Sequence, residues 1–186
     1  MIITISGSPG SGKSTVAEKL AKKLRYKRIY GGGIRRKMAK KKGMTLAEFN
    51  QWGEKNFYSD KFVDDFIKKE AKKSKNLIIE GRPAFYLVPD SLKIFLFADI
   101  KIGAKRIWKS YQKTKHERNE DIIDSLKQME ASLKKREQSD AKRYKIFYGI
   151  NILNKKNYDL WLDVSKMDKK QEFEKVYSFV KNKLKK

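Results

Sequence analysis

With 186 residues, 39% of them apolar and 12% aromatic, the chain is long enough to enclose a core and too hydrophobic for a disordered basic tail. Three prolines and no cysteine exclude a collagen-like or disulfide-stapled scaffold, and no apolar run reaches the ~18 residues of a membrane span. A net charge of +24, from 46 basic and 22 acidic residues, points to phosphate-bearing partners, but the lysines are spread through every segment. A lysine-rich background therefore accounts for the charge more simply than a dedicated nucleic-acid face. The N-terminus lacks the layout of a secretory signal, so a soluble, cytoplasmic protein is expected.

Met1-Ile2-Ile3-Thr4-Ile5-Ser6 is a short β-branched apolar run, as a buried parallel strand should be. A glycine-rich loop follows, then an amphipathic helix with Val16, Leu20 and Leu24 on one side. Arg28-Ile29-Tyr30 reads as a second strand closed by Gly31-Gly32-Gly33, and the pattern is helical from Ile34 to about Ser74. Within it, Thr45-Leu46-Ala47-Glu48 is a capping box that restarts a helix after Gly43, and Phe62, Phe66 and Ile67 mark the buried face of a longer one. Leu77-Ile78-Ile79-Glu80 is a third strand ended by Gly81, and Leu92 to Phe97 a fourth. The charged stretch from Ala104 to Tyr148 reads as two helices around a polar turn near Thr114–Asn119. Leu160-Trp161-Leu162 sits in a fifth strand, and a last helix with Phe173, Val176, Val180 and Leu184 covers the sheet. Alternating strands and helices predict one α/β domain over residues 1–186, with a parallel sheet, right-handed crossovers and two helical excursions.

Gly7-Ser8-Pro9-Gly10-Ser11-Gly12-Lys13-Ser14 fits G-x-x-x-x-G-K-[ST] at every fixed position, between an expected strand and an expected helix. Glycines let consecutive backbone N–H groups point inward, making an anion nest at the positive end of a helix. Lys13 then reaches the β- and γ-phosphates, and the Ser14 hydroxyl can ligate Mg²⁺. A nucleoside triphosphate is the expected ligand. The chain has neither the Asp-x-x-Gly and Asn-Lys-x-Asp signatures of a GTPase nor the Leu-Ser-Gly-Gly-Gln of a transporter-type ATPase. A small phosphotransferase remains, whose work is positioning and charge neutralisation.

A kinase with a phosphorylated acceptor needs a second anion site facing the first, and arginine suits it because its planar fork grips phosphate at two points. Arg36 comes one turn after Gly32-Gly33, and Arg82 ends Glu80-Gly81-Arg82; both follow strand ends, where ligands of parallel α/β sheets bind. On position alone Arg36 is equally a solvated member of the Arg35-Arg36-Lys37 run. Glu80 can hold a water on Mg²⁺, which keeps several waters and few protein ligands, or pair with a neighbouring Lys or Arg. Arg136, Asp140 and Arg143 share one helix face. Two guanidiniums oriented by one carboxylate fit a lid over phosphates, and an ordinary solvated ion pair fits the same spacing. Arg106 lies on the preceding helix, and His116, between Lys115 and Glu117, is expected to be exposed and without a catalytic role.

In these residues the chain resembles the nucleoside monophosphate kinases, specifically the archaeal-type cytidylate kinase family, over nearly its whole length. The resemblance rests on Ile5-Ser6 followed by Gly7 to Thr15, on Gly32, Ile34, Arg36, Met38 and Ala39, and on Glu80-Gly81-Arg82. Most specific is the segment Arg136-Glu137, Ser139-Asp140-Ala141-Lys142-Arg143-Tyr144 and Tyr148-Gly149-Ile150. It implies a P-loop kinase fold with a five-stranded parallel sheet: a core of residues 1–31, 75–103 and 150–186, a monophosphate-binding excursion at 32–74 and a helical lid at 104–149. It implies transfer of the γ-phosphoryl group of ATP to CMP or dCMP with Mg²⁺, by a monomer whose partners are small nucleotides.

By the same resemblance, Gly7, Ser8, Pro9, Gly10, Ser11, Gly12, Lys13, Ser14 and Thr15 hold ATP, with Arg106 near the donor nucleotide. Gly32, Arg36, Arg82, Arg136, Asp140 and Arg143 bind the acceptor, Asp140 orienting the lid arginines. Lys13, Arg82, Arg136 and Arg143 meet the transferred group, and Ser14 and, through water, Glu80 serve the metal. Gly33 and Arg35 stand where the family usually has an acid and an apolar or aromatic residue, Gly103 where it often has Arg, and Pro83 where bacterial relatives carry Asp. The stretch 109–119 is longer than expected between the lid helices. These departures bear on base specificity, since a kinase for AMP, UMP or dTMP would use the same phosphate apparatus. An RNA- or ribosome-associated ATPase is the remaining alternative, in which the second arginine site would have no purpose.

Overall fold

The structure, a computed structural model, describes residues 1–113 and 123–185. Its strands are β1 (Ile2–Gly7), β2 (Lys27–Tyr30), β3 (Leu77–Glu80), β4 (Leu92–Phe97) and β5 (Leu160–Asp163). Its helices are α1 (Lys13–Leu24), α2 (Gly31–Lys41), α3 (Leu46–Gly53), α4 (Tyr58–Lys73), α5 (Ala84–Leu87), α6 (Ile100–Tyr111), α7 (Leu126–Tyr148) and α8 (Lys169–Leu184).

β1 is β-branched along almost its whole length and nearly all buried, so it takes the centre of a five-stranded sheet of order β2-β3-β1-β4-β5. All four pairings are parallel, Ile5 standing opposite Glu80 on β3 and Ile94 on β4, so every strand ends at the same edge. On one face, α1 and α8 lay Val16, Leu20, Val176 and Val180 over Ile3, Ile5, Ile94 and Leu96. On the other, α4 and α5 bring Val63, Ile67, Ala84 and Leu87 against Ile29, Leu77 and Ile79. A third cluster, Ala104, Tyr111, Ile123, Met129 and Leu133, joins α6 to α7 apart from the sheet. In the stretch expected as the first excursion, α4 therefore covers the sheet, while α6 and α7 pack on each other. Among the described residues no helix is long and apolar enough to cross a membrane.

Local signals set the boundaries. Thr45 accepts from the Glu48 amide while Glu48 accepts from the Thr45 amide, which starts α3, and the same reciprocal pair between Asp168 and Gln171 starts α8. Gly149, in the left-handed region, ends α7.

Four expectations change. Phe62 and Phe66 are 48% and 39% exposed; the buried side of α4 is Ser59, Asp60, Val63, Asp64 and Ile67. Its aspartates can be buried because they are partnered, and that displaces the aromatic stripe to the outer side. Leu184 is likewise exposed, at the frayed end of α8. Gly31–Gly33 form the first turn of α2 rather than closing β2, and α6 begins at Ile100, where Asp99 caps two amides. The polar turn near Thr114–Asn119, and His116 within it, lie outside the described residues.

Leu20 is fully enclosed between the sheet and α8, on the helix that begins at the glycine-rich loop. Leu20→Ala should therefore lower unfolding free energy by about 2–5 kcal/mol, read as a fall in the urea midpoint at constant slope.

Candidate active site

The loop between β1 and α1 is shaped by residues without side chains. Gly10 and Gly12 have φ of +71° and +79°, a region costly for any other residue. A Cβ on Gly10 would lie 2.4 Å from the Gly103 carbonyl, and one on Gly103 would lie 2.4 Å from that of Pro9. The glycine at position 103 is what lets α6 abut the loop. α1 starts at Gly12 with no side-chain cap, so its first amides are left facing the cleft, where anions bind well.

Lys13 arches over this loop, its Nζ donating to the Ser8 carbonyl at 2.5 Å and to Ser11 Oγ at 3.4 Å. Burial, reinforced by the charges of Arg82 and Arg136 against the pull of Glu80, pushes its amine down to about 7. Behind the loop, the Glu172 carboxyl of α8 is 3% exposed and packs against Gly12, where a Cβ would lie 2.2 Å from Oε1. Burial pushes it up to about 7.

At the end of β3, Glu80 uses both oxygens. Oε1 accepts from Ser14 Oγ at 2.5 Å, and Oε2 from Arg28 Nη2 at 2.6 Å. Of the two readings open in the sequence, a water-mediated metal site and an ion pair, the ion pair is present, with Arg28 of β2 as the partner. Ser14 and Glu80 form a small oxygen set at the mouth of the cradle, which fits a cation that keeps most of its own waters.

Arg82 follows directly. The Ser6 hydroxyl of β1 donates to the carbonyls of Gly81 and Arg82 at 3.1 and 3.0 Å, fixing this turn to the central strand. Arg82 Nη1 lies 2.6 Å from Asp140 Oδ2, and Asp140 Oδ1 accepts from Arg143 Nη2 at 2.6 Å. Arg143 Nε then donates to Asp60 Oδ2 at 3.0 Å, and Asp60 Oδ1 accepts from Arg35 Nη1 at 2.9 Å. Arg35 continues to Asn50 Oδ1 at 2.8 Å and lies over the Phe49 ring, 5.0 Å from its centroid. Five charges of alternating sign thus run from the turn after β3, through α7, to α4 and α2. Burial pushes the Asp140 carboxyl up, but Arg82, Arg143, Arg136 and Arg35 together hold it well below the usual carboxylate range.

The cleft between the cradle and this chain encloses ≈ 480 Å³, within the range of about 300–1,000 Å³ typical of small-molecule sites. Its lining brings together Pro9, Gly10, Gly12, Lys13, Ser14 and Thr15 of the loop and first turn of α1 with Gly32, Arg36, Glu80, Arg82, Arg136 and Asp140. Arg36 donates from Nη1 to the Tyr30 hydroxyl. Arg106 Nη2 donates to the carbonyls of Val164 and Met167 at 2.8 and 2.9 Å, and Nη1 to that of Gly10 at 3.4 Å, joining the loop to the turn after β5. Arg143 is not on the cleft wall: it is 0% exposed, its guanidinium enclosed by Asp60 and Asp140. Sequence reasoning missed Arg28, Asn50, Asp60, Asp64 and Glu172. The one available signal was polar residues interrupting the inner helical stripe at positions 60 and 64.

A family model described as the cytidylate kinase-like family matches residues 2–166. The cytidylate kinase of Archaeoglobus fulgidus is 38% identical over 169 residues, covering 90% of this chain and 88% of its own length. That of Pyrococcus furiosus is 39% identical over 167 residues, covering 89% and 81%. Among solved structures, an uncharacterized protein from Eubacterium ventriosum superposes with a TM-score of 0.69 at 19% identity, over 97% of this chain and 98% of that one. Shikimate kinase from Bacteroides thetaiotaomicron gives 0.61 at 14% identity, over 97% and 98%. At these identities the structural likeness carries the fold alone.

Removing a carboxylate from the buried chain leaves guanidinium charge uncompensated, so Asp140→Ala should cost about 3–5 kcal/mol in denaturant unfolding. Because the folded carboxyl titrates below its unfolded value of about 3.9, its contribution is complete above that pH and fades only as pH falls further. Asp140→Asn should lack that acid limb of the stability curve.

Proposed function

The chain belongs to the cytidylate kinase-like family, and from that membership and the cleft geometry we propose that it transfers the γ-phosphoryl group of ATP to CMP or dCMP, giving ADP and CDP or dCDP. One observation carries the reading: the glycine-rich loop with Lys13 shares a single cleft with Arg36, Arg82 and Arg136. A triphosphatase acting on water alone has no use for those arginines, and this tells against an RNA- or ribosome-associated ATPase.

In this reading the loop from Gly7 to Thr15, through its free main-chain amides, and the Lys13 ammonium hold the donor phosphates, and Arg106 braces the donor side. Arg82 and Arg36 grip the acceptor phosphate, and Arg136 neutralises charge on the group in flight. Arg143 acts at one remove, as a positioning residue that orients Asp140 and through it Arg82. The acceptor is already an anion at neutral pH, so no general base is required, and the rate comes from alignment and water exclusion. Ser14 directly and Glu80 through water would hold Mg²⁺, which neutralises and orients phosphate oxygens. The protein is read as a cytoplasmic monomer with nucleotides as its partners.

The decisive experiment is an acceptor panel of CMP, dCMP, UMP, AMP and dTMP with ATP in a coupled ADP-release assay. CMP and dCMP should turn over fastest; preference for another base would replace the acceptor, and ADP release independent of any acceptor would overturn the reading. Lys13→Ala should abolish transfer while circular dichroism stays unchanged.

The lysine also sets a pH dependence. Its amine loses its proton near pH 7 when no phosphate is bound, and polyphosphate charge draws the proton back. The value of kcat/KM for ATP, which follows the free enzyme, should fall as pH rises above about 7 while kcat stays level. A flat kcat/KM profile up to pH 9 would remove Lys13 from this role.

A further inference from the structure

The cleft lining also includes Val63 and Ile67 of α4, an apolar pair that lines it together with Asn50 of α3 and Asp60 and Asp64 of α4. Asp60 is fully engaged by Arg35 and Arg143. The other two are half engaged, in a way that sets their direction. Asn50 Oδ1 accepts from Arg35 Nε at 2.8 Å, which fixes the amide flip and leaves Nδ2 as a donor. Asp64 Oδ2 accepts from the Tyr148 hydroxyl of α7, leaving Oδ1 as an acceptor. Both side chains line the cleft although their residues are only 5% and 4% exposed. Burying such groups is unfavourable unless something completes their hydrogen bonding, and an apolar residue would fill either place at less cost. Separate helices are thus committed to aiming one donor and one acceptor into an apolar slot.

Resting on the kinase reading above, we propose that Asp64 and Asn50 read the acceptor base: Asp64 accepts from the exocyclic amine of cytosine, and Asn50 donates to its ring nitrogen or carbonyl. Uracil and thymine carry a carbonyl where cytosine carries its amine, so they would set one acceptor against another. Tyr148 is a positioning residue for Asp64, as Arg35 is for Asn50. Arg35 is the departure from the family pattern noted in the sequence, and this gives it a task. The carboxylate's charge state supplies an independent handle. Burial, with Asp60 and Asp65 on the same helix, pushes Asp64 up to about 6 against the Tyr148 hydrogen bond from α7 and the charge of Lys68. Once protonated, Asp64 offers a donor where the amine needs an acceptor.

The test measures kcat/KM for CMP, UMP and AMP across pH 5–8 in the wild type, Asp64→Asn and Tyr148→Phe, with folding checked by circular dichroism. In the wild type the ratio of CMP to UMP should fall as pH drops through about 6. Asp64→Asn, whose amide can turn to donate, should lower that ratio by roughly tenfold or more, through KM for the acceptor rather than for ATP, and abolish its pH dependence. Tyr148→Phe, which leaves the carboxylate in place, should lower the ratio by a smaller factor and guards against an unfolded Asp64 variant. An unchanged ratio in both variants overturns the assignment, as does AMP proving the best wild-type acceptor. No transfer by the wild type to any monophosphate would instead overturn the parent kinase reading.

Discussion

Asp140 lies between two guanidiniums, with Arg82 at 2.6 Å on the cleft side and Arg143 at 2.6 Å on the other, and almost no water reaches Asp140 or Arg143. The buried charge chain takes its order from this contact. Arg82 is anchored at its backbone by β1 through Ser6 and at its side chain by α7, so the guanidinium stands between a rigid strand end and the long helix. The far end of the same chain, Arg143 to Asp60 to Arg35, reaches into α4 and α2. As a source of stability it is a poor investment, because well-packed apolar side chains would serve as well. As a geometric device it has no apolar substitute, since each charge fixes the direction of the next.

The glycine-rich wall of the cleft is organised on another basis, by the absence of side chains. Gly10 and Gly103 meet backbone to backbone, so the loop and α6 approach more closely than any branched residue would allow. Arg106 of α6 then ties the loop to the turn after β5 by carbonyl contacts alone. One half of the cleft is therefore built from main chain and the other from salt-bridged side chains. Lys13 sits where they meet, its charge weakened by burial and by the arginines across from it.

How much of this the sequence discloses follows from the range of each interaction. The glycine-rich loop is contiguous, and its chemistry is fixed by residues within eight positions of one another, so it can be read directly. The strands can be read as well, because a sheet covered on both faces needs unbroken apolar runs. Arg82 shows itself by standing at a strand end. Arg143 shows only half its partners: Asp140 is three residues away on the same helix, but Asp60 is 83 residues distant, and that second contact is what encloses the guanidinium. The same distance hides Asp60 and Asp64. Without Arg35, Arg143 and Tyr148 in view, two aspartates on a lysine-rich helix look solvated, and the neighbouring Phe62 and Phe66 look like the core.

The open start of α1 has a consequence for how this molecule tolerates heat. A helix normally completes its first turn with its own serine, threonine or aspartate, and here Gly12 supplies nothing of the kind. On the proposed function the group that completes this turn is a phosphate of the bound nucleotide. Resistance to unfolding becomes a property of the surrounding solution, growing by about 2.7 kcal/mol when the nucleotide stands at a hundredfold its dissociation constant.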